Sequence, residues 1–365
     1  MTLGCAIGAV HASPAIAAEA GAAASMGNLH DRVLAADPTR LEKLGRHLMA
    51  GIDDMAEVRR LIEAKAIAGV FVTRRNLRGR TAAAIRAEIE SLQALRRTTG
   101  LPPLWIAADQ EGGLVQRLSP PLPRQQPLSR IVASHAVPAE RKAAVLDYAW
   151  RQGAALAAIG VTVNFAPVVD IDHGLRNPRD AHTRIGRRAL GRDALAVAEA
   201  ASWYCDGLRD AGVTCTRKHF PGLGRVLVDT HVAQATLDGP LRRLSTSDWV
   251  PFAQPAGSTM ADWTMLGHVR VNGLDPDTPA SASKAVVDLL RQELNVSGIV
   301  ITDDFSMGAI QKSTLGTGGA AVAALNAGVD LVLVSFFPRE IYVVLEALLA
   351  ADVEGRLDAA KLRSS

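Results

Sequence analysis

The segment Gly212–Gly224 reads Gly-Val-Thr-Cys-Thr-Arg-Lys-His-Phe-Pro-Gly-Leu-Gly, and its two halves differ in character. The first half, Gly212–Thr216, is a short apolar run, and the second carries Lys218 and His219 into a glycine-rich loop. A continuous apolar run is typical of a strand buried on both faces, as in a parallel sheet. The segment therefore predicts a buried strand that delivers polar side chains to one end of a sheet.

The same order of a short β-forming run, polar residues and a helical stretch occurs along the chain. Seven further runs are Leu48–Gly51, Gly69–Val72, Trp105–Ala108, Val161–Phe165, Thr264–Gly267, Ile299–Thr302 and Leu331–Val334. Helical patterns lie between many of them, for example Thr81–Arg97, Ala139–Ala158, Ala194–Ala211 and Lys284–Leu294. This order predicts an α/β fold, a single (β/α)8 TIM-type barrel over residues 31–365 whose first part could be irregular. A doubly wound open sheet is the alternative, although no Gly-x-Gly-x-x-Gly motif follows an early strand.

The composition is that of an ordinary globular protein, which narrows the classes of function. Of the 365 residues, 48% are hydrophobic and 21% are charged, and the net charge is only +3. Several basic residues occur as isolated pairs without interleaved aromatic residues, so no nucleic-acid partner is predicted.

The chain contains three cysteines, Cys5, Cys205 and Cys215. An odd and small number argues against a disulfide framework. Cys205 falls in a helical pattern and Cys215 in the strand after it, so we expect both to be small buried apolar side chains. No Cys-x-x-Cys or His-x-x-x-His spacing occurs, and no metal site is predicted.

The first residues of the chain, 1–30, form an alanine-rich tail. Thr2–Ala24 is nearly uncharged, but it is too short and too poor in leucine and isoleucine to span a bilayer, so no stable membrane insertion is expected. The tail is interpreted either as the remnant of a signal peptide or as a disordered extension. The first interpretation would place the protein in the periplasm.

A barrel of this type carries its active site where the strands end. The polar residues at predicted strand ends are Asp109, Lys218, His219, His268 and Asp303. We therefore expect these side chains to meet at one mouth of the barrel.

Two pairs of residues point to proton transfer and to a carboxylate in the barrel mouth. Asp229 lies two residues before His231, a spacing at which a carboxylate can hold one imidazole nitrogen and leave the other free. Asp303 and Asp304 are neighbours on an extended chain and should point to opposite sides. We assign Asp303 to the mouth and Asp304 to the N-terminus of the following helix. The alternative is that both acids only start that helix.

The segment Asp109–Arg117 combines two acids, two glycines and an arginine. Carboxylates and guanidinium groups suit sugar hydroxyls, because each hydroxyl both donates and accepts hydrogen bonds. A turn with solvated charges is the alternative. The segment Arg184–Arg188 is a weaker candidate that could be a surface loop.

Together these segments resemble glycoside hydrolase family 3, in particular its single-domain bacterial β-N-acetylglucosaminidases, over residues 40–350. That branch is marked by Lys-His-Phe/Ser-x-Gly-x-Gly, four residues, and Asp-Ser/Thr-His, which match Lys218–Gly224 and Asp229–His231. Three further segments agree in the family's order, namely Asp109–Arg117, Asn164–Asp170 and Ile301–Met307.

The resemblance implies removal of nonreducing-end β-linked N-acetylglucosamine from oligosaccharides or peptidoglycan fragments. Asp303 would be the nucleophile of a retaining reaction, and His231, oriented by Asp229, the general acid/base. The remaining residues would bind sugar, with His268 at the pocket edge: Asp109, Arg117, Arg188, Lys218, His219 and His268. No cofactor or metal is implied. The expected protein is a monomer, in the cytoplasm as in the resembled branch.

Two positions depart from the family pattern. Leu223 stands between the loop glycines, where histidine is common, and Leu114 follows Glu-Gly-Gly, where arginine is common. Both would shape the site beyond the first sugar, so the leaving-group preference is open.

Alternative functions use the same residues. A phosphorylase would attack the same intermediate with phosphate, and a β-glucosidase would differ only in the sugar. A non-catalytic sugar-binding barrel is a third alternative. An unrelated phosphate-binding barrel would need a glycine-rich loop after the last strands, which Ser335–Pro338 does not supply.

Overall fold

The computed structural model describes residues 29–52, 54–178, 180–256, 262–335, 337 and 339–363. Eight strands form a closed barrel in which every neighbouring pair is parallel. They are β1 Leu48–Gly51, β2 Gly69–Phe71, β3 Trp105–Ala108, β4 Val163–Asn164, β5 Thr214–Phe220, β6 Trp263–Leu266, β7 Val300–Asp304 and β8 Leu331–Val334. The predicted (β/α)8 barrel is confirmed, and the open sheet is wrong because β1 pairs with β8.

Helices surround the barrel. They are α1 Pro38–Gly45, α2 Met55–Glu63, α3 Ala82–Thr98, α4 Leu128–Ser134, α5 Pro138–Ala158, α6 Ile185–Arg188, α7 Ala194–Asp210, α8 Leu241–Ser245, α9 Lys284–Gln292, α10 Gly308–Gln311, α11 Gly316–Ala327 and α12 Glu340–Val353. Several begin at a side-chain cap, as where Asp193 accepts the Ala196 amide at the start of α7. Two short strands, Gln110–Gly112 and Val115–Gln116, pair as an antiparallel hairpin after β3.

The inside of the barrel is filled by apolar side chains. Met49, Phe165, Trp263 and Leu333 belong to this interior cluster, and the rings of Phe71 and Phe165 stack with centroids 5.3 Å apart. Packing of this kind leaves no channel through the barrel, so ligands can reach only its ends.

Among the described residues, the first part of the barrel is regular, although the sequence allowed for an irregular one. β1 pairs with both of its neighbours in unbroken register. Register shifts occur instead between Lys218 and Phe220 of β5 and between Ile301 and Asp304 of β7. A β-bulge re-aims side chains, and these two bulges lie at the ends of the strands that carry the strongest site candidates.

The expectation for the cysteines is wrong. Cys205 of α7 and Cys215 of β5 form a disulfide with their Cα atoms 5.2 Å apart. Both residues are buried, as expected, but a cysteine count does not show that a helix and the strand after it pack face to face. The bond therefore ties α7 to the strand that ends in Lys218.

The expected tail, residues 1–30, lies outside the described residues except for its last two. Leu29 is buried in the main core, and the His30 ring lies 4.7 Å from the Tyr342 ring, so these two residues pack on the barrel. Within the described ranges no helix is both long and apolar enough to cross a membrane.

Candidate active site

The barrel mouth at the C-terminal ends of the strands holds a cavity of about 360 Å³. Seven of the nine predicted site residues line it: Asp109, Arg117, Arg188, Lys218, His219, His231 and Asp303. Residues from distant parts of the chain therefore meet in one place, as the strand-end argument predicts.

Four charged side chains, which we call the inner charge cluster, lie together in this cavity: Asp109, Glu111, Arg188 and Lys218. Lys218 Nζ lies 2.6 Å from Asp109 Oδ1 and 2.8 Å from Glu111 Oε1. Arg188 donates to both oxygens of Glu111, from Nε at 2.9 Å and from Nη2 at 2.6 Å. The cluster joins the loops after β3 and β4 to the end of β5.

The charges of this cluster stabilise one another. Burial acts to raise the pKa of Glu111, but the charges of Arg188 and Lys218 outweigh it and hold that pKa far below its ordinary value. Burial acts to lower the pKa of Lys218, but the charges of Asp109 and Glu111 outweigh it and raise that pKa. Glu111 and Lys218 are therefore charged near neutral pH and present both hydrogen-bond acceptors and donors to the cavity.

His219 is held by a buried carboxylate, Asp170. Asp170 Oδ2 lies 2.7 Å from His219 Nδ1 and accepts the His219 amide at 3.2 Å, while Oδ1 accepts the Leu223 amide at 2.6 Å. One carboxylate thus holds both the ring and the glycine-rich loop. Because Nδ1 is engaged, Nε2 is the ring nitrogen that can meet a ligand in the cavity.

Asp303 reaches the cavity from the bulged end of β7, and its Oδ1 accepts the Asp304 amide at 2.8 Å. Burial acts to raise the pKa of Asp303, but the charges of three nearby histidines, led by His219, outweigh it. The net pKa lies below the ordinary value, so Asp303 is a carboxylate near neutral pH. An anionic carboxylate is the form that can attack an electrophilic carbon.

Asp304 supports the ends of two strands and does not cap the following helix, although we expected it to. Its Oδ1 accepts the Ser306 amide at 2.9 Å and the Ser335 amide at 3.0 Å, and both serine hydroxyls donate to its carboxylate. Helix α10 begins later, after Met307, and without a side-chain cap. Asp304 therefore joins the ends of β7 and β8, and the bulge brings it to the cavity wall beside Asp303.

Asp229 and His231 form the expected pair. His231 Nδ1 lies 2.9 Å from Asp229 Oδ1, and the His231 amide donates to the same oxygen at 3.0 Å. The Thr183 hydroxyl donates to Asp229 Oδ1 at 2.9 Å, and the His182 amide donates to Oδ2 at 3.1 Å. With Nδ1 directed to a carboxylate, Nε2 of His231 is the nitrogen able to exchange a proton with a ligand.

The hydrogen bonds around Asp229 keep it ionised. Burial acts to raise its pKa, but the Thr183 hydroxyl and the His231 amide, together with the His231 ring, outweigh burial and lower it. The ionised Asp229 therefore holds Nδ1 of the His231 ring and leaves Nε2 as the nitrogen that can meet a ligand.

His268 is not brought to the cavity wall. It is buried, with Nδ1 2.8 Å from the Ser281 hydroxyl and Nε2 3.0 Å from the Asp304 carbonyl oxygen. His268 was expected at the pocket edge, but it does not line the cavity. The sequence shows that a residue lies at a strand end, but it does not show whether the side chain faces the barrel mouth or a neighbouring strand.

The two leucines that depart from the family pattern also differ in position. Leu114 is exposed and lines the cavity, whereas Leu223 is buried and borders a neighbouring surface depression. Of the two, only Leu114 is placed to meet a molecule bound in this cavity.

Three residues of this site were not assigned roles from sequence: Glu111, Asp170 and Thr183. Glu111 and Asp170 lie inside segments that sequence analysis singled out. Because each is an acidic residue in such a segment, both could have been proposed as site residues. Thr183 lies in a stretch with no such signal, and its role depends on a contact across 46 residues of chain.

One group of side chains among the described residues has the geometry to hold a metal ion, and it lies outside the cavity. It consists of Cys205, Cys215 and Asp262. The two sulfurs are joined as a disulfide, and Asp262 pairs with Arg209 at 3.1 Å and Arg217 at 3.2 Å. Because the two sulfurs are bonded to each other and the carboxylate is paired with two arginines, the group does not fit a metal ion.

Comparison with known proteins shows the family of the chain. Residues 39–365 match the family model described as the glycosyl hydrolase family 3 N-terminal domain. A "Beta-hexosaminidase" of Xylella fastidiosa (strain M12) is 37% identical over 75% of this chain and 77% of its own length.

Solved structures of related enzymes have a similar fold. The glycoside hydrolase family 3 β-N-acetylglucosaminidase of Paenibacillus sp. str. FPU-7 superposes with a TM-score of 0.79 at 33% identity, over 88% of this chain and 60% of that chain. The β-N-acetylhexosaminidase of Beutenbergia cavernae DSM 12333 gives a TM-score of 0.76 at 32% identity, over 90% of this chain and 96% of that chain.

The barrel, the cavity and these relatives define the protein as a glycosidase. The chain belongs to glycosyl hydrolase family 3.

Proposed function

We propose that the protein is a retaining β-N-acetylglucosaminidase that releases a nonreducing-end sugar from small oligosaccharides or peptidoglycan fragments. The observation that carries this proposal is the convergence of Asp303 and the Asp229–His231 pair on one cavity mouth. The names of the matched relatives support the acetamido sugar as substrate.

In the first step, a carboxylate oxygen of Asp303 attacks the anomeric carbon as the bond to the leaving oxygen breaks. His231, protonated on both nitrogens, gives its Nε2 proton to that oxygen, and the leaving group departs as a neutral alcohol. Asp229 stays ionised and stabilises the imidazolium before the transfer. The products are the leaving group and a glycosyl ester on Asp303.

In the second step, water attacks the anomeric carbon and the ester bond to Asp303 breaks. His231 Nε2 takes one proton from the water, which restores the imidazolium and the Asp303 carboxylate. Two inversions at the same carbon give retention of configuration.

The terminal sugar would be held by the inner charge cluster, with His219 and Arg117 beside it. Bidentate and charge-assisted hydrogen bonds from buried groups fix a hydroxyl-bearing ring more rigidly than solvated side chains do. The bonds among Asp109, Glu111, Arg188 and Lys218 support this role, because they fix the side chains in one arrangement.

A phosphorylase remains a second candidate because of the charge of the cavity. Six Lys and Arg side chains line it against four Asp and Glu side chains. An excess of positive charge and an imidazole acid/base would both tolerate phosphate as the attacking group.

The test is hydrolysis of p-nitrophenyl β-N-acetylglucosaminide beside the matching β-glucoside, with wild type and Asp303→Ala. We expect preference for the acetamido sugar and its loss by more than about 10³-fold in the variant, with unchanged thermal unfolding. NMR of the first-formed product should show the β anomer.

Three results would contradict the proposal. Activity on the glucoside alone would change the sugar, and near-wild-type activity of Asp303→Ala would remove the nucleophile. Formation of sugar 1-phosphate on addition of phosphate would replace hydrolysis by phosphorolysis.

A further inference from the structure

Asn164 is a buried polar residue to which the reaction proposed above gives no role. It ends β4, its side chain is 0% exposed, and it is paired in register with Ala108, the last residue of β3. A buried side-chain amide has to satisfy its donors and its acceptor within the protein. The partners of this amide therefore show what Asn164 holds.

The main partner of the Asn164 amide is the backbone of Gln110. Asn164 Oδ1 accepts the Gln110 amide at 3.0 Å, and Asn164 Nδ2 donates to the Gln110 carbonyl oxygen at 2.9 Å. One side chain thus binds both backbone groups of one residue, as a neighbouring strand would. A primary amide offers a donor and an acceptor side by side for this contact, whereas a carboxylate only accepts and an alkyl group does neither.

Gln110 is also fixed by its own side chain. Its Nε2 donates to the Ser119 hydroxyl at 2.8 Å, and its Oε1 accepts the Leu118 amide at 3.0 Å. Both ends of Gln110 are therefore held, the backbone by Asn164 and the side chain by the segment that follows the hairpin after β3.

Gln110 lies between the two acids of the inner charge cluster. Residues two apart in an extended segment point to the same side, and Asp109 Oδ1 and Glu111 Oε1 meet Lys218 Nζ at 2.6 and 2.8 Å. A shift of the Gln110 backbone would therefore move both carboxylates relative to Lys218.

Two helices fix the orientation of the Asn164 amide. Asn164 Nδ2 donates to the hydroxyl oxygen of Tyr204 on α7 at 3.0 Å and lies 3.3 Å from Oε1 of Gln152 on α5. The Tyr204 hydroxyl in turn donates to the same oxygen of Gln152, and both residues are buried. These contacts select the position of the Asn164 NH2 group, so that Oδ1 is the atom left to accept the Gln110 amide.

We propose that Asn164 is a positioning residue for the terminal sugar, because its amide fixes the Gln110 backbone and thereby holds Asp109 and Glu111 beside Lys218. This proposal rests on the glucosaminidase function above. Asn164 would act without touching the sugar, since its side chain is buried and does not line the cavity. A buried hydrogen-bond network with every member satisfied favours a single arrangement of the groups attached to it.

The experiment removes the contact while nearly preserving the shape of the side chain. Asn164→Leu keeps the branched outline but can neither donate nor accept a hydrogen bond. We would measure kcat and KM on p-nitrophenyl β-N-acetylglucosaminide, and Ki for free N-acetylglucosamine, which reports on the terminal sugar alone. Tyr204→Phe, which removes only the outer contact of the amide, is the milder second variant in case Asn164→Leu does not fold.

We expect Asn164→Leu to raise KM and Ki by about 10-fold, as for loss of two buried hydrogen bonds, and Tyr204→Phe to raise them by about 2-fold. The kcat of both variants should fall by less than about 3-fold, because the lost interaction holds the sugar and not the reacting groups. Asp303 and His231 keep their own contacts, to the Asp304 amide and to Asp229.

A double-mutant cycle with Asp109→Asn tests the route of the effect. Asn164→Leu should lower kcat/KM by about 10-fold in wild type, but by about 2-fold or less in the Asp109→Asn background, where a correctly placed carboxylate no longer exists.

Leu345→Ala is the control for lost stability. Leu345 is buried on α12, the helix that follows β8, and β8 lies opposite β4 in the barrel. Its truncation should lower the Tm at least as much as Asn164→Leu does, while keeping KM and Ki.

Wild-type KM and Ki in folded Asn164→Leu would overturn the proposal and leave the glucosaminidase function intact. If Asn164→Leu does not fold, the same result in Tyr204→Phe would overturn it. Equal losses in both backgrounds of the cycle would also do so, because Asn164 would then act independently of Asp109. An equal rise of KM and Ki in Leu345→Ala would replace positioning by lost stability. Absence of turnover of the aryl glucosaminide by wild type would overturn the proposed function and this proposal with it.

Discussion

The backbone amide of Gly308 donates a hydrogen bond to the backbone carbonyl of His231 over 2.9 Å. The next amide, of Ala309, donates to the Thr230 carbonyl over 3.1 Å in the same way. Gly308 opens α10, the helix that follows Asp303 on β7. The loop that carries the proposed acid/base therefore rests on the helix that follows the proposed nucleophile, and the position of one depends on the other.

We predict that Gly308→Ala disturbs this contact and lowers kcat by about 10- to 100-fold. A Cβ at this position would lie 2.4 Å from the Val232 carbonyl oxygen and 3.0 Å from that of His231, so the loop must move. A displacement of about 1 Å in a catalytic group can have an effect of this size. Steady-state kinetics on the aryl glucosaminide provide the measurement.

Gly319→Ala is the matched control for this change. Gly319 lies in α11, where the nearest heavy atom to an added Cβ is 3.7 Å away. Alanine there should keep activity and raise stability slightly, by up to about 1 kcal/mol. Similar kcat values for the two variants would show that the Gly308 contact does not position His231.

A second prediction concerns Thr183 as a positioning residue. Thr183→Val removes the hydroxyl that donates to Asp229 Oδ1, and kcat/KM on the acid limb of the pH profile should fall by about 10-fold, as for loss of a hydrogen bond to a charged group. The Asp229 pKa now lies below its usual 3.8, so the ionised pair persists until the pH falls through that lowered value. Without the hydroxyl this pKa rises, and the acid limb of the pH profile should move to higher pH.

Thr183→Ser is the control, since it keeps a hydroxyl at the same position. It should retain the wild-type acid limb, whereas a purely structural effect would lower activity equally at all pH values. An unchanged acid limb in Thr183→Val would separate Thr183 from the function of Asp229.

A third prediction uses leaving groups of different basicity. His231→Ala should slow cleavage of a disaccharide by about 10²- to 10⁴-fold, because an alkoxide leaves poorly without a proton. An aryl glucosaminide with an acidic phenol should be affected much less in its first step. Brønsted plots of kcat/KM against the pKa of the leaving group give the measurement.

His182→Ala serves as the comparison for that plot. The His182 ring lies 5.3 Å from the His231 ring and also lines the cavity, but only its amide contacts Asp229. We expect it to keep a shallow dependence on leaving-group basicity. The same steep dependence in both variants would argue against a unique acid role for His231.

A fourth prediction concerns the disulfide between Cys205 and Cys215. The two cysteines are 10 positions apart in the sequence, and closing a loop of that length stabilises the fold by about 3 kcal/mol in the chain-entropy description. Reduction with dithiothreitol should therefore lower the Tm by about 3–4 °C for a protein of this size. Differential scanning calorimetry with and without the reductant measures this shift.

The variant Cys205→Ala/Cys215→Ala should unfold at the lower temperature and should not respond to dithiothreitol. Alkylation of the denatured, unreduced protein offers an independent check. It should modify one of the three cysteines, and modification of all three would show that the bond does not form.

The strands were predictable because most of their residues are buried, and this leaves short apolar runs in the sequence. The predicted Leu48–Gly51, Trp105–Ala108 and Leu331–Val334 coincide with β1, β3 and β8. β5 continues to Phe220, beyond the predicted end at Thr216. The backbone of its polar residues at the barrel mouth still pairs with a neighbouring strand. Periodicity alone does not reveal this continuation.

The contacts within the site were less predictable than the residues themselves. The Asp229–His231 pair is local, and its spacing was sufficient to predict the hydrogen bond. Asp170 and His219 are 49 residues apart and are brought together by parallel strands, so no local pattern reports their contact. The orientation of the His268 ring likewise depends on the groups that hydrogen-bond to its two nitrogens, Ser281 and the Asp304 carbonyl.

The hydrogen bonds between Asp170 and the glycine-rich loop have a consequence for the thermodynamics of sugar binding. Three hydrogen bonds from His219 and Leu223 to the Asp170 carboxylate hold this loop closed. Its conformational entropy is therefore lost during folding and not when the sugar arrives. Calorimetry should find little ordering of this loop on association, and Asp170→Ala should weaken binding chiefly through a less favourable entropy.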